Sequence, residues 1–369
     1  MNDYVDIWSI AVGQGQMNFV EITDGATNLY KGLVLIDCGG SNGVIQGPSR
    51  VLINTIMQRH NDTIDLVLIS HTDDDHSNLL TSIPCVCMKF MLYGCVNGNF
   101  NNTYLGGVVQ QLVNSGKLLR HEQADNTYFN NGVHFFNFNN INIVTDVEFR
   151  VIISNYGVRA NDASTIWQLA VGSKYAIFAG DATATTMRIA NGIIAANYNS
   201  FSPMNNSCRF ITLPHHGSIV TAGGVPRQYI DVKDCVKLFG TYLRPKTSVS
   251  SSALHNGWIH SSEYVRRAVL PNPDPMASHA CYVHDLNNDY VKGQYIIAFF
   301  TNSSSYNDNI DIDLSYFIRI DRATDYPMGF TYPNSNVVQF NYTPIRSPKP
   351  NASKAKRIVS AVKISQERG

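Results

Sequence analysis

The sequence predicts an α/β protein in which helices cover sheets of apolar strands. Nearly continuous apolar strands alternate with helical segments along much of the chain. Of the 369 residues, 44% are hydrophobic, which is enough to bury a large core. Three of the predicted strands end abruptly in histidine or aspartate, and these ends carry the chemistry considered below.

The first seventy residues contain alternating or continuous apolar runs separated by glycine turns. The elements predicted there are the strands "VDIWSIAV", "MNFVEI" and "GLVLIDCGG", a helix at "SRVLINTIMQ" and the strand "IDLVLIS".

The middle of the chain, "NTYFNNGVHFFNFNNINIVTDVEFRVII", is rich in asparagine, aromatic and β-branched residues and predicts hairpins of an antiparallel sheet. The strands "STIWQLAV" and "KYAIFAGD" follow, joined by the turn residues "GSK". The next predicted elements are a helix near "ATTMRIANGIIAAN", the strands "RFITLP" and "VKLFGTYL", and a helix at "SSEYVRRAV".

The pattern changes near residue 290, after which only strands are predicted. We expect a main domain over residues 1–290, a β-rich extension packed on it over residues 291–343, and a basic, flexible tail over residues 344–369.

Charge and hydropathy exclude some partners. The chain has 28 Lys and Arg against 28 Asp and Glu, so no global field draws it onto nucleic acid or an acidic membrane. No apolar run reaches the roughly 18–20 residues of a membrane span, and "MNDYVDIWSIAVGQG" lacks the basic region of a signal peptide. The sequence therefore predicts a soluble, cytoplasmic protein with no membrane partner.

The stretch "LVLISHTDDDHSNLL" places two histidines and three aspartates at the end of a buried strand. Carboxylates this close repel one another, so a positive charge is expected between them. His71 and Asp73 lie two residues apart on the strand end and can converge on one point, while Asp75 and His76 can converge on a second. Imidazole and carboxylate groups are common ligands of Zn²⁺, so a metal pair explains the cluster, and Asp74 is expected to point elsewhere.

Two other strands end in the same way. "KYAIFAGDAT" delivers Asp181, whose two carboxylate oxygens could bridge two metals, and "RFITLPHHGS" delivers His215 and His216. Each position also has a structural interpretation: Asp75 and Asp181 could cap helices, and the histidines could bind backbone carbonyls. The recurrence at three strand ends favours the metal interpretation.

The motifs "LIDCGG", "SHTDDDH", "AGDAT" and "LPHHGS", in this order, resemble those of the metallo-β-lactamase-fold hydrolases. They are most similar to the branch that contains the hydrolase domain of the competence protein ComEC and the bacterial phosphorylcholine esterases. "VGQG", "NDAST" with Asn161 and Ser164, and "HNGWIHSS" with His260 extend this resemblance. It implies a four-layer αββα sandwich with a β-rich C-terminal extension. Gln16 stands where this branch often has an acid, which predicts a weaker role for that loop in supporting a metal.

The resemblance also implies roles for these residues. Two Zn²⁺ ions per chain are expected, with Mn²⁺ as the alternative because the site is rich in oxygen ligands. One ion would be held by His71, Asp73 and Asp181, and the other by Asp75, His76, Asp181 and His216.

The remaining residues would act around the metals. His215 would contact the substrate or transition state, since neighbouring residues at a strand end diverge and only one histidine of the pair can easily face the metal. His260 would stabilise developing charge or protonate the leaving group, unless it only makes a local hydrogen bond at a helix start. Asp37 would orient a ligand imidazole from outside the ligand set, with Asn161 and Ser164 as further supporting residues.

The expected activity is hydrolysis of a phosphodiester by a metal-bound hydroxide, as in a phosphodiesterase or nuclease, on a nucleic acid, a nucleotide or a head-group ester. One alternative is an amide or ester hydrolase of the same fold that acts on a lactam, lactone or thioester. The other is a metal-containing scaffold subunit of a defence complex, whose C-terminal region would bind a protein partner.

Overall fold

The structure is a computed structural model. It describes residues 3–10, 12, 15–40, 45, 47–83, 87–88, 91–93, 118–120, 135–136, 143–156, 160–197, 201, 208–217, 242–243, 245, 247–251, 254–255, 258–259, 295–299, 315–320, 329–331 and 338–339.

The described part of the chain contains two long helices, and three short 3₁₀ turns lie at Asp74–His76, Leu80–Ser82 and Pro214–Gly217. The helices are α1 (Gly47–Arg59) and α2 (Ala184–Ala196). The strands are β1 (Tyr4–Ser9), β2 (Met17–Thr23), β3 (Tyr30–Cys38), β4 (Thr63–Ile64), β5 (Leu66–Ile69), β6 (Cys87–Met88), β7 (Met91–Tyr93), β8 (Leu118–Arg120), β9 (Phe135–Phe136), β10 (Val147–Ile153), β11 (Ile166–Val171), β12 (Lys174–Phe178), β13 (Cys208–Thr212), β14 (Thr247–Ser251), β15 (Leu254–His255), β16 (Trp258–Ile259), β17 (Tyr295–Phe299), β18 (Ser315–Ile320), β19 (Gly329–Thr331) and β20 (Val338–Gln339).

Two mixed sheets dominate these elements. The first has the strand order β20-β19-β18-β1-β2-β3-β5-β7-β8, antiparallel up to β3 and parallel from β3 to β8. The second has the order β17-β14-β13-β12-β11-β10-β9, antiparallel from β9 to β12 and parallel from β12 to β17.

Alternate residues of each sheet pack into different cores. Leu66 and Leu68 of β5 join a cluster shared by both sheets, whereas Val67 and Ile69 pack into a cluster with α1. On the second sheet, Phe178 belongs to the shared cluster, and other side chains pack with α2. The layers are therefore helix, sheet, sheet and helix, which confirms the predicted αββα sandwich.

Strand direction places the ligand-type residues at one end of this sandwich. β5 runs parallel to β3 in the first sheet, and β12 runs parallel to β13 in the second. The carboxyl ends of parallel strands meet at the same edge of a sheet, so the segments that follow β12 and β13 lie side by side. The segments that follow β5, β12 and β13 meet there, because His76 and His216 both contact Asp181.

Most predicted elements are confirmed, and several strands were not foreseen. β7, β8 and β14 were not predicted, and Tyr242–Leu243, at the end of the predicted strand "VKLFGTYL", is helical. The rest of that strand and the predicted helix "SSEYVRRAV" lie outside the described residues.

Strands from beyond residue 290 join both sheets. β17 pairs with β14, and β18 pairs with β1. Arg319 of β18 donates to Asp6 of β1 through Nε and Nη2, at 2.6 and 2.7 Å, a bidentate ion pair that fixes the register of the two strands. The boundary at residue 290 stays a prediction.

None of the helices within the described ranges combines the length and the apolar character that a membrane span requires.

Candidate metal centre

Five of the residues singled out in the sequence form a compact group, called here the donor cluster. Each member offers an imidazole nitrogen or a carboxylate oxygen, and the members are His71, Asp75, His76, Asp181 and His216. Two overlapping sets, each within 4.8 Å, could hold a metal ion: one joins His71, His76 and Asp181, and the other joins Asp75, His76 and His216.

Four donor atoms of the cluster are linked by short contacts. The Nε2 atom of His76 lies 2.9 Å from Oδ1 of Asp181 and 3.2 Å from Nε2 of His216. The Nε2 atom of His216 lies 3.3 Å from Oδ2 of Asp75 and 3.4 Å from the same Asp181 oxygen. Ligands bound tetrahedrally at about 2.0 Å from a zinc ion are about 3.3 Å apart, so these separations fit one shared cation.

His71 lies beside His76, with ring centroids 4.2 Å apart, and faces the second oxygen of Asp181. Its Nε2 atom is 3.7 Å from Oδ2 of Asp181 and 3.5 Å from Oδ2 of Asp73. The two oxygens of Asp181 therefore face different imidazoles, Oδ1 towards His76 and His216 and Oδ2 towards His71. This is the arrangement that a bridging carboxylate requires.

The buried polar atoms of the cluster also fit metal ions. Among the described residues, Nε2 of His71 is buried and makes no hydrogen bond, its carboxylate neighbours lying at 3.5 and 3.7 Å. A buried polar atom without a partner costs free energy, and a cation between these groups would satisfy it. The donor set of imidazole and carboxylate groups suits a divalent metal such as zinc.

Ser70 and Asp37 orient the ligand imidazoles from behind. The Nδ1 atom of His76 lies 3.0 Å from Oδ2 of Asp37, and Nδ1 of His71 lies 3.0 Å from Oγ of Ser70. When Nδ1 donates in each ring, Nε2 is left as the acceptor that faces the cluster.

Asp37 is itself fixed. It accepts hydrogen bonds from the backbone N of Ser70 at 2.7 Å and from its hydroxyl at 2.9 Å. Its φ of 52° lies in the left-handed region, which aspartate tolerates better than most residues.

The charges within the donor cluster shift the pKa values of its members in the direction opposite to the effect of burial. Burial alone would lower the pKa of His76, but the carboxylates of Asp181 and Asp37 outweigh it and raise that pKa well above its ordinary value. For His216 the same balance, with Asp181 and Asp75 as the acids, also raises the pKa. Burial alone would raise the pKa of Asp181, and the charges of the surrounding histidines hold it far below its usual range.

His215 and His216 both point at Asp181, which corrects the expectation that neighbouring histidines diverge. Both have left-handed backbone, with φ of 48° and 54°, and lie beyond the end of β13 at Thr212, so the alternation of a strand does not apply to them. Nε2 of His215 lies 3.5 Å from Oδ2 of Asp181, on the side of the carboxylate opposite His216. Burial lowers the pKa of His215, so this ring is neutral at neutral pH.

The helix-cap interpretation of the acids is wrong. Helix α2 begins at Ala184, and Thr183, not Asp181, occupies its N-cap position. At the 3₁₀ turn Asp74–His76 the N-cap position belongs to Asp73, so Asp75 is not a cap either. Asp74 is exposed, as expected for a residue outside the ligand set.

Asn161 and Ser164 lie beside the cluster. The amide Nδ2 of Asn161 is 3.4 Å from Nε2 of His215, and the hydroxyl of Ser164 accepts a hydrogen bond from the backbone N of Asp181 at 3.0 Å. Gly180 has a φ of 50°, and a Cβ there would lie 2.4 Å from the Ser164 hydroxyl, so this turn requires glycine. His260 lies outside the described residues, directly after β16 in the sequence.

The Gly15–Gln16 loop supports the site more closely than the sequence predicted. The backbone N of Gln16 donates to the carbonyl of Asp75 at 3.0 Å, and the carbonyl of Gln16 accepts from Gly39 N at 3.0 Å. The expectation of a weaker role for this loop considered only the side chain, whereas the support comes from the backbone, which any residue supplies.

Two supporting residues were missed in the sequence. Ser70 directly precedes His71 and directly follows β5, a position from which its hydroxyl faces the cluster. Asn78 follows His76 by two residues, and its amide binds the backbone of Gly40. In both cases the sequence shows a polar residue next to the ligand motif, and this proximity could have identified it as a supporting residue.

Comparisons with known proteins find similar architectures at low identity. No family model matches the chain, and no curated protein matches its sequence. A mutant of the CmlA β-hydroxylase is 13% identical over 86% of this chain and 54% of that chain, with a TM-score of 0.42, so the chain spans about half of that protein.

Two further solved structures show comparable similarity. The metallo-β-lactamase-fold protein YhfI from Bacillus subtilis is 8% identical over 80% of this chain and 96% of that chain, with a TM-score of 0.38. A diphosphatase from the PhnP family is 12% identical over 65% of this chain and 74% of that chain, with a TM-score of 0.31. The donor cluster itself therefore carries the functional conclusion.

Proposed function

We propose that this chain is a dinuclear-metal hydrolase that cleaves phosphodiesters. The observation that carries the proposal is the set of contacts of 2.9–3.4 Å that links donor atoms of His76, His216, Asp75 and Asp181, with His71 beside the other oxygen of the same Asp181 carboxylate. This spacing is that of ligands around shared cations, and it draws on segments far apart in the sequence.

The proposed ligands are those expected from the sequence. His71, Asp73 and Asp181 would hold one ion, and Asp75, His76, Asp181 and His216 would hold the other. Two Zn²⁺ or Mn²⁺ ions held by these residues would supply Lewis acidity and bring the pKa of water towards neutrality.

The chain's own residues define the side from which a substrate approaches. His71, His76, His216 and Asp181 have side chains that are at most 3% exposed, so they close the back of the site. The exposed fractions are 44% for Asp73, 24% for Asp75 and 15% for His215, so this side faces the substrate.

His215 is placed to act on the substrate. Its ring is neutral because burial lowers its pKa, and Nε2 lies between the Asn161 amide at 3.4 Å and the Asp181 carboxylate at 3.5 Å, which fix the orientation of the ring. A neutral imidazole of this kind can hold or receive a proton beside the scissile bond.

The charge of the site favours a substrate with little charge. The carboxylates of Asp37, Asp73, Asp75 and Asp181 balance two dications when the histidines are neutral, so the loaded site has no net charge. Together with the equal numbers of basic and acidic residues in the chain, this balance supports a small monoanionic diester, such as a nucleotide or head-group ester, over a long nucleic acid.

The test combines metal content with a substrate panel. Purified protein is analysed for metals by plasma emission and assayed with bis(p-nitrophenyl) phosphate, a chromogenic lactam, a lactone and labelled single-stranded DNA. We expect two metals per chain, turnover of the phosphodiester, and at least a 100-fold loss of turnover in Asp75→Ala. Asp74→Ala is the matched control, since it removes the adjacent exposed aspartate and should retain turnover.

Other results would replace the proposal. Cleavage of the lactam or lactone alone would identify an amide or ester hydrolase. A stable protein partner recovered with both wild type and Asp75→Ala, without turnover of any substrate, would identify a scaffold. Protein that holds no metal after incubation with zinc and with manganese would remove the basis of all three.

A further inference from the structure

Asn78 joins the two segments that carry Asp37 and His76. Its Oδ1 accepts a hydrogen bond from Gly40 N at 2.9 Å, and its Nδ2 donates to Gly40 O at 2.8 Å. The side-chain amide therefore binds both backbone groups of one residue, as a neighbouring strand would. Gly40 lies three residues after Asp37, and Asn78 lies two residues after His76.

The same two segments approach each other closely along their length. A Cβ on Gly39 would lie 2.1 Å from the carbonyl carbon of Asp75, so the backbones are in direct contact there. The backbone N of Leu79 donates to the carbonyl of Cys38 at 2.9 Å. The Asn78 amide thus holds together one end of this backbone contact, which runs beside the 3₁₀ turn Asp74–His76.

This contact governs the spacing between Asp37 and His76. The separation of 3.0 Å between their side chains requires the end of β3 and the 3₁₀ turn Asp74–His76 to keep their relative positions. A shift of about 0.5 Å would take it to the limit of a hydrogen bond, and His76 would lose the partner that keeps Nε2 directed at the cluster.

We propose that Asn78 is a positioning residue of the metal centre, whose amide clamps Gly40 and so holds Asp37 against His76. The inference rests on the proposed metal centre. Asn78 touches no substrate and acts through His76, so its loss should weaken the binding of zinc by His76 and its partners. Outer partners of this kind change metal affinity by about 10–100-fold.

The test measures zinc affinity directly, by competition with a chromogenic chelator. We expect Asn78→Ala to bind the zinc ion of Asp75, His76, Asp181 and His216 about 10-fold or more less tightly than wild type. Asn54→Ala, on helix α1, removes an asparagine amide at a distance from the cluster and should leave zinc affinity unchanged. In saturating zinc, Asn78→Ala should recover its kcat with an unchanged KM.

Asn78→Asp separates the clamp from the charge of the turn and serves if Asn78→Ala does not fold. It keeps the acceptor for Gly40 N but places an oxygen against Gly40 O, and it adds a negative charge near the cations. The clamp predicts weaker zinc binding, whereas a purely electrostatic role predicts tighter binding.

Equal zinc affinity of wild type and Asn78→Ala, or tighter binding by Asn78→Asp, would overturn the inference. Failure of the proposed function is a separate result. If wild type binds zinc but hydrolyses no substrate, the zinc affinities of wild type and Asn78→Ala can still be compared. Wild type that binds no zinc would reject both.

Discussion

The carboxylate of Asp37 and the imidazole of His76 are joined by a contact of 3.0 Å between Oδ2 and Nδ1, although 39 residues separate them in sequence. Asp37 belongs to β3 and His76 to the turn after the neighbouring β5, so a hydrogen bond between adjacent segments sets the direction in which a ligand atom points.

Asp37→Ala should weaken zinc binding by about 10–100-fold, because His76 loses its acceptor and its tautomer is no longer fixed. Asp37→Asn is the matched variant, since asparagine keeps an acceptor oxygen and tolerates the left-handed φ of 52°. It should lose less affinity than Asp37→Ala, as measured by chelator competition. Equal affinity in wild type and both variants would mean that Asp37 does not orient the ring.

The left-handed backbone of His215 stores strain that glycine would release. Since φ is 48°, the free energy of unfolding of metal-free His215→Gly should exceed that of His215→Ala by about 1 kcal/mol. Both variants lose the ring, but only alanine retains the strained Cβ. Urea unfolding measures this difference. At Ser77, where φ is −142°, the same pair of substitutions should not favour glycine. An advantage of alanine over glycine at His215 would contradict the assigned backbone.

Zinc binding should release protons and become tighter as pH rises from about 6 to 8. The neighbouring carboxylates raise the pKa values of His76 and His216 against the effect of burial, so the metal-free protein holds protons on these rings more tightly, and binding through Nε2 displaces them. The sign follows because a raised pKa means that metal and proton compete until the pH exceeds it. Calorimetry in two buffers of different ionisation enthalpy measures the release, and an affinity independent of pH would show that the rings are already neutral.

Asp74 should repel anionic substrates through its exposed charge. In water, two unit charges several ångströms apart interact by less than about 1 kcal/mol, so Asp74→Asn should raise kcat/KM for bis(p-nitrophenyl) phosphate about two-fold at low salt. The gain should disappear near 1 M salt and be absent for an uncharged ester. Asp62→Asn, before the start of β5 and away from its site end, is the control. A gain of equal size on charged and uncharged substrates would argue against repulsion.

The sequence predicted the fold and the site best where the type of side chain alone determines burial or metal binding. The apolar runs predicted β1, β2, β3 and β5, and the histidines and aspartates at three strand ends predicted the donor cluster. β14 was not predicted, because "TSVSS" has too few apolar residues to be recognised as a buried strand, and its pairing with β13 and β17 decides its structure.

Contacts made by the backbone could not be predicted from residue types. Gln16 supports Asp75 through its peptide group, and the left-handed turn at His215 and His216 follows from the path of the chain after β13. Asn78 was visible in the sequence, but its partner is the backbone of Gly40, which no pattern of side chains identifies.

The ion pair between Asp6 and Arg319 joins residues 313 positions apart, which sets an order of events during synthesis. At about 5–20 residues per second, roughly 15–60 s pass between the appearance of β1 and that of β18 at the ribosome. Throughout that interval β1 has an open edge and a carboxylate without its guanidinium, and open edges invite pairing with other chains. A nascent or truncated polypeptide that stops before residue 315 should therefore depend on chaperones to remain monomeric.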